Sequence, residues 1–278
     1  SEGASDSIVI KFDSECKLQW VKHFPASAEP CFLLASGSCS LELGSVATAP
    51  DDHIYISGSI RGVARVGGTE LGVFGERGIA LLKLAPDGNV QWAHSYSVGL
   101  EGIEYGGVTS DVAADARGDV YLAAQVPADT DLGSGRAIGG NTGTVAAVAK
   151  YDGAGRHLWS QHVVGTGSTA EIEINSAGNL LVLGDGADAP SDPGGSTGRY
   201  LAELNSAGDL QSGGRLPSTA GPPLDITQRT SLSVDAGRNP IVLQQLLVRD
   251  ESAMDTGVFK ASSRLLKYSP QRERQWEK

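Results

Sequence analysis

The chain has 278 residues, a length that fits one large domain or two small ones. Its 37 glycines, 6 % aromatic and 20 % charged residues exclude a coiled coil or a helical bundle, which need few glycines and many long side chains. A net charge of −11 and a pI near 4.9 disfavour nucleic acid or an anionic membrane as the main partner. No stretch reaches the ~20 apolar residues of a membrane span, so no membrane insertion is expected. The opening Ser1-Glu2-Gly3 has no Met and no basic-then-apolar leader, which points to a processed form or a piece of something longer.

In chain order, the first expected element is a hairpin over 8–24, Ile8 to Asp13 followed by Lys17-Leu18-Gln19-Trp20. Its text returns as Leu81 to Trp92, as Ala147 to Trp159 and as Leu265 to Trp276. A degenerate copy, Leu201 to Leu210, has Ser212 in the tryptophan position. All four tryptophans, Trp20, Trp92, Trp159 and Trp276, therefore share one repeat position. A common packing role for their large apolar rings is the expected reason.

A second unit alternates with the first. It begins at Val46, Val112, Ile172 and Leu232, so successive copies are offset by 66, 60 and 60 residues. Each copy is a short apolar run, a turn rich in Asp, Asn and Gly, and a second apolar run, which is the pattern of a tight β-hairpin. Two hairpins per ~60 residues make four strands, and radial repetition of four-stranded sheets protects sheet edges. The predicted fold is all-β: a β-propeller, or part of one, spanning 1–278. It has four complete blades, at about 45–97, 110–164, 170–217 and 230–278, plus an N-terminal half-blade at 8–24. The half-blade requires further propeller strands, from upstream sequence or from another copy of the chain, to cover its apolar residues Ile8, Ile10 and Phe12.

The repeat text resembles the bacterial SBBP-type β-propeller repeats of secreted and surface proteins, abundant in myxobacteria. The matching segments are Ala114 to Tyr121 and Ala149 to Trp159, with Gly62 to Leu71 similar to that family's loop between the second and third strands. A weaker likeness is to quinoprotein propeller repeats, through the Asp-x-x-x-Gly-x-x-x-Trp ending. The resemblance implies a fold and a secreted, periplasmic or cell-surface setting, and it assigns no activity.

Several short motifs have structural readings. Arg117-Gly118-Asp119 occupies a hairpin turn, where Gly and Asp supply left-handed backbone and a side chain that bonds its own backbone. Gly194-Gly195-Ser196-Thr197-Gly198 matches a nucleophile elbow without the strand before it or the helix after it. Gly165 to Ala170 matches a dinucleotide loop but leads into a strand. His23, His53, His94, His157 and His162 show no zinc spacing. No cofactor is expected, with calcium as the one metal the residues suit: Asp129, Asp131, Asp185 and Asp188, with Asp192, lie in carboxylate-rich loops. Cys31 and Cys39 share one loop and form the easy disulfide pairing, whereas Cys16 lies in a turn on the opposite rim. Reduced, buried thiols are the other reading.

The short turns are predicted on one rim. The other rim gathers the long connections at 25–44, 61–79, 97–109, 127–146, 186–199, 217–229 and 247–263. Binding function concentrates on such loops. The expected function is a non-enzymatic extracellular or cell-surface scaffold that binds a protein or a glycan through this long-loop face. The alternative is a propeller enzyme, a quinoprotein-like dehydrogenase or a polysaccharide lyase, with its site in a central funnel. A quinone enzyme of that kind is expected to carry a vicinal cysteine pair, and the chain has no Cys-Cys.

Overall fold

In a computed structural model, the described residues are 6–25, 39–98, 109–139, 144–163, 171–186, 198–216, 226–235, 239–249, 259–269 and 271–277. They contain strands and turns and no helix, so none is long and apolar enough to cross a membrane. The expectation of an all-β chain holds at that level. Two compact units divide the chain, Ser1–Val163 with Ser168–Ala170, and Val164–Gly167 with Glu171–Lys278.

The first unit opens with an antiparallel hairpin, β1 (Ser7–Phe12) and β2 (Leu18–Phe24). A four-stranded sheet follows in chain order: β3 (Ser40–Thr48), β4 (Ile54–Val66), β5 (Thr69–Leu84) and β6 (Val90–Val98). A second has β7 (Ser110–Ala114), β8 (Val120–Pro127), β9 (Thr144–Tyr151) and β10 (His157–His162). The second unit holds two more. One is β11 (Glu171–Ile174), β12 (Leu180–Gly186), β13 (Gly198–Leu204) and β14 (Leu210–Arg215). The other is β15 (Ile226–Val234), β16 (Pro240–Arg249), β17 (Phe259–Tyr268) and β18 (Arg274–Glu277). Every sheet is an antiparallel meander, so each combines one copy of each repeated unit.

Register explains why the repeats share their text. Lys11 pairs Trp20, Lys83 pairs Trp92, Lys150 lies opposite Trp159, and Lys267 opposite Trp276. Opposed residues share a sheet face, so lysine and tryptophan lie side by side on one face. The other face is aliphatic. On the β3–β6 sheet that second face supplies Ile54, Ile56, Ala80, Leu82 and Leu84, buried against Val9, Trp20 and Phe24 of the first hairpin. The lysine–tryptophan face of the same sheet buries Tyr55, Ile79 and Leu81, with Trp92 and Tyr96 packed alongside. It does so against Leu122, Ala147, Ala149 and Tyr151 of the next sheet. The units thus stack front to back.

One turn recurs through the described residues. In the β1–β2 connection the Asp13 N–H donates to the Lys17 carbonyl and the Cys16 N–H to the Asp13 carbonyl. The same pair of bonds recurs in turns starting at Ala49, Ala85, Asp115, Asp152, Asn175, Asn205 and Ser269. The fourth residue of each carries a positive φ: Cys16 60°, Asp52 62°, Gly88 81°, Gly118 79°, Gly155 82°, Gly178 80°, Gly208 92° and Arg272 67°. A three-residue hairpin loop of this kind closes with a left-handed residue, which favours glycine.

The connection expected at 61–79 is mostly strand. β4 and β5 run on past the sheet as a two-stranded arm, paired from Gly62↔Val73 to Val66↔Thr69. Gly67 (φ 58°) and Gly68 (φ 85°) close it. Two successive left-handed residues make the tight turn whose twist matches paired strands, so the glycines that read as loop signals are the hinge of a hairpin.

Candidate functional site

Two polar constellations and one apolar surface are candidates. The first sits at the short turns. Lys150, 2 % exposed, places Nζ 3.3 Å from Asp115 Oδ2 and 3.1 Å from Asp119 Oδ2. Asp115 Oδ1 also accepts the N–H groups of Arg117 and Asp119, at 2.9 and 3.1 Å. Burial disfavours the charge on Asp115, but these N–H donors and Lys150 outweigh it and hold its pKa below the usual carboxylate value. Burial likewise opposes charge on Lys150, and bonding to Tyr121 and Asp119 outweighs it and keeps the ammonium protonated. The ammonium also lies 4.7 Å from the Tyr121 ring centroid. This is a turn staple rather than a reactive lysine, which would need a lowered pKa.

Each sheet has its own version. Lys267 pairs Asp235 at 2.6 Å. In the β11–β14 sheet the roles reverse: Glu203 Oε1 accepts from Asn175 and Asn179 at 3.0 and 2.8 Å. Lys83 instead reaches forward to the Gly153 carbonyl at 2.8 Å. Arg117-Gly118-Asp119 belongs to this system, because the Asp119 carboxylate is held by Arg117 and Lys150. The sequence carried a signal for the staples, a lysine at one fixed place in four of the five tryptophan-type segments.

The tryptophans fill gaps between stacked units. Trp20 Nε1 and Lys11 Nζ both donate to the Pro86 carbonyl, at 3.0 and 3.1 Å. Trp92 Nε1 and Lys83 Nζ both donate to the equivalent Gly153 carbonyl, at 3.2 and 2.8 Å. The glycine closing each turn lies flat on the indole: a Cβ on Gly88 would stand 3.0 Å from Trp20 Cε2, and one on Gly155 3.0 Å from Trp92 Cδ2. Where Ser212 replaces tryptophan, Arg272 replaces the glycine, and its guanidinium lies against Gly214. Trp20, Trp92 and Trp159 are each half-buried; the Trp276 side chain lies outside the described residues.

The second constellation lies under the segment 128–139. Tyr151, fully buried, donates to the Leu132 carbonyl at 2.7 Å, stacks on Tyr96 at 5.7 Å and meets the His157 ring edge-on at 5.7 Å. Burial raises the Tyr96 hydroxyl to about 12 and Tyr151 well above its ordinary value, and it lowers His94 and His157. His157 Nε2 and Thr130 Oγ1 are buried without a hydrogen-bond partner. Asp131 Oδ1 organises the segment by accepting N–H groups of Gly133, Ser134 and Gly135 and the Ser134 hydroxyl.

Of the carboxylates expected to suit calcium, Asp131 is therefore committed to its own loop and Asp129 is exposed. The Asp185 side chain and the whole of Asp188 lie outside the described residues. Among the described residues no group of three His, Cys, Asp or Glu could hold a metal ion. Cys39 is disulfide-bonded and Cys16 is a free, exposed thiol; Cys31 lies outside the described residues.

The apolar surface is on the first hairpin. Ile8, Ile10, Phe12, Leu18 and Val21 are 62, 49, 55, 52 and 51 % exposed. Ile10 opposes Val21 and Phe12 opposes Leu18, so these side chains form one continuous face.

No family model and no curated protein matches the chain. Solved structures do. A protein of unknown function from Bacteroides caccae is 10 % identical, with a TM-score of 0.39 over 97 % of this chain and 92 % of that one. A protein of unknown function from Dyadobacter fermentans is 11 % identical, with a TM-score of 0.47 over 84 % and 67 % of the two chains. A polysaccharide lyase, PL25 ulvan lyase bound to -[GlcA(1-4)Rha3S]-, is 14 % identical, with a TM-score of 0.43 over 96 % and 67 %. At such scores the likeness says nothing about activity.

Proposed function

We propose that the four sheets are blades of a β-propeller of the SBBP type, that β1–β2 is half of a further blade, and that the protein is a non-enzymatic scaffold outside the cytoplasm. It binds a protein or a glycan through its long connections. One observation carries this reading. The short turns repeat a single bonded geometry and lock their charged side chains into internal staples, whereas the connections at the opposite strand ends differ in length and text from sheet to sheet. A rigid frame with variable loops is the usual form of a binding module. The disulfide at Cys39 favours an oxidising compartment.

The test uses the full chain against an array of acidic and neutral glycans, with a parallel assay for eliminative cleavage of polyuronates. Binding without turnover is expected, and it is lost when 128–139 is replaced by a short Gly-Ser link but kept in Gly178→Asn. Catalytic cleavage would establish the lyase alternative instead. Binding that survives the loop replacement and fails in Gly178→Asn would place the site on the wrong rim.

A further inference from the structure

We propose that the exposed apolar face of β1–β2 is the seat for a second copy of this chain, which docks on it with the outer face of its β15–β18 sheet. The seat has the chemistry of the internal ones. By register, Ile8, Ile10 and Phe12 correspond to Ala80, Leu82 and Leu84, which are fully buried beneath the first hairpin. Val21 corresponds to Ala93, also buried there. The same pattern on the next sheet, Ala147, Ala149 and Tyr151, is buried against Trp92 and Tyr96. In each case the covering surface is a lysine–tryptophan face.

The chain has a face of that kind left open. In the β15–β18 sheet, Lys267 opposes Trp276, the pairing that seats the first two units. Leu243 on the same face is 38 % exposed, with Ile241 and Leu265 half-buried. The corresponding Ser57 and Ala123 are completely buried. An exposed apolar seat and an exposed apolar insert of matching register in one polypeptide define a heterologous, head-to-tail interface. In the docked pair the Ser14 carbonyl, the counterpart of Pro86 and Gly153, accepts the Trp276 indole N–H. Cys16 stands where Gly88 and Gly155 lie against an indole, so its side chain crowds this seat and weakens it.

Sedimentation equilibrium of the full chain over a wide concentration range provides the test, with two variants at exposed positions. Ile10→Asp blocks the seat and Leu243→Asp blocks the insert, and each is expected to weaken self-association about 100-fold. Mixing the two variants restores one good interface per pair, so a 1:1 complex forms and grows no further. Cys16→Gly tightens association of the otherwise unaltered chain. Three outcomes overturn the proposal. One is a monomer at every concentration in both the unaltered chain and Cys16→Gly. A second is self-association that survives Leu243→Asp, which would mean hairpin packing on hairpin. The third is a monomer whose Ile10 amide is protected from exchange, which would mean that the chain covers its own seat.

Discussion

The indole nitrogen of Trp92 lies 3.2 Å from the carbonyl oxygen of Gly153, a turn residue of the next sheet, and Trp20 makes the same bond to Pro86 at 3.0 Å. The repeat that makes tryptophan recur also makes the acceptor recur, so each unit carries both halves of the joint. Packing and hydrogen bond separate by substitution. Trp92→Phe keeps most of the ring contact and loses the donor, a cost of about 1 kcal/mol. Trp92→Ala loses both and costs about 3 kcal/mol, toward the low end for aromatic truncation because the ring is only half-buried. Urea denaturation of both variants gives the comparison.

Lys150 and Asp115 form the most enclosed ion pair among the described residues, with side chains 2 % and 7 % exposed. Lys150→Met leaves two carboxylates without their cation and is expected to cost about 3–5 kcal/mol. Adding Asp115→Asn and Asp119→Asn to Lys150→Met recovers much of that loss, because the stranded charges are gone. Lys83→Met removes only a donor to a carbonyl and costs about 1 kcal/mol. Equal losses in the two single variants would mean that the pair is not buried in solution.

The turns offer a cleaner test of backbone strain. A Cβ on Gly118 meets nothing within 4 Å, so Gly118→Ala reports the left-handed conformation alone, about 1 kcal/mol. Gly155→Ala adds a collision, with the new carbon 2.7 Å from His94 Nε2 and 3.0 Å from Trp92, and costs more. Asp52→Gly and Arg272→Gly relieve strain at φ 62° and 67°, and thermal melts are expected to rise or stay level.

Much of this was legible in the sequence, for a physical reason. Hairpin turns and period-two strands are local, so Pro86-Asp87-Gly88-Asn89 between apolar runs reads as a hairpin wherever it occurs. Repetition then supplies the sheets. The arm closed by Gly67 and Gly68 was misread because glycine marks both a loop and a two-residue hairpin turn. The staples depend on which carboxylate folds back over which lysine. That choice varies from Asp115 to the reversed Glu203 arrangement, and the Lys83 donor goes to the next sheet instead. The Tyr96–Tyr151–His157 cluster joins side chains of two sheets and a covering segment, a juxtaposition no local pattern encodes.

That cluster gives the fold a pH dependence. Burial holds His94 and His157 below their ordinary value of 6.5. Below that pH the unfolded chain binds protons that the folded chain refuses, so stability falls as pH drops through the window beneath 6.5. His157→Phe keeps a ring against Tyr151 and flattens this part of the profile. A second loss begins lower, below 3.8, where Asp115, Asp131 and Asp152 are held ionised by backbone N–H bonds and cations. Chemical denaturation at a series of pH values resolves the two phases.

The account rests on tryptophans that clamp one unit to the next, and indole hydrogen exchange in the native state tests that most directly. If the bonds of Trp20 to Pro86 and Trp92 to Gly153 hold the stack, both indole N–H groups exchange only when their sheets open, with protection comparable to that of the strand amides beside them. Indole protons that exchange at the free rate while the amides of β5 and β9 remain protected would contradict it.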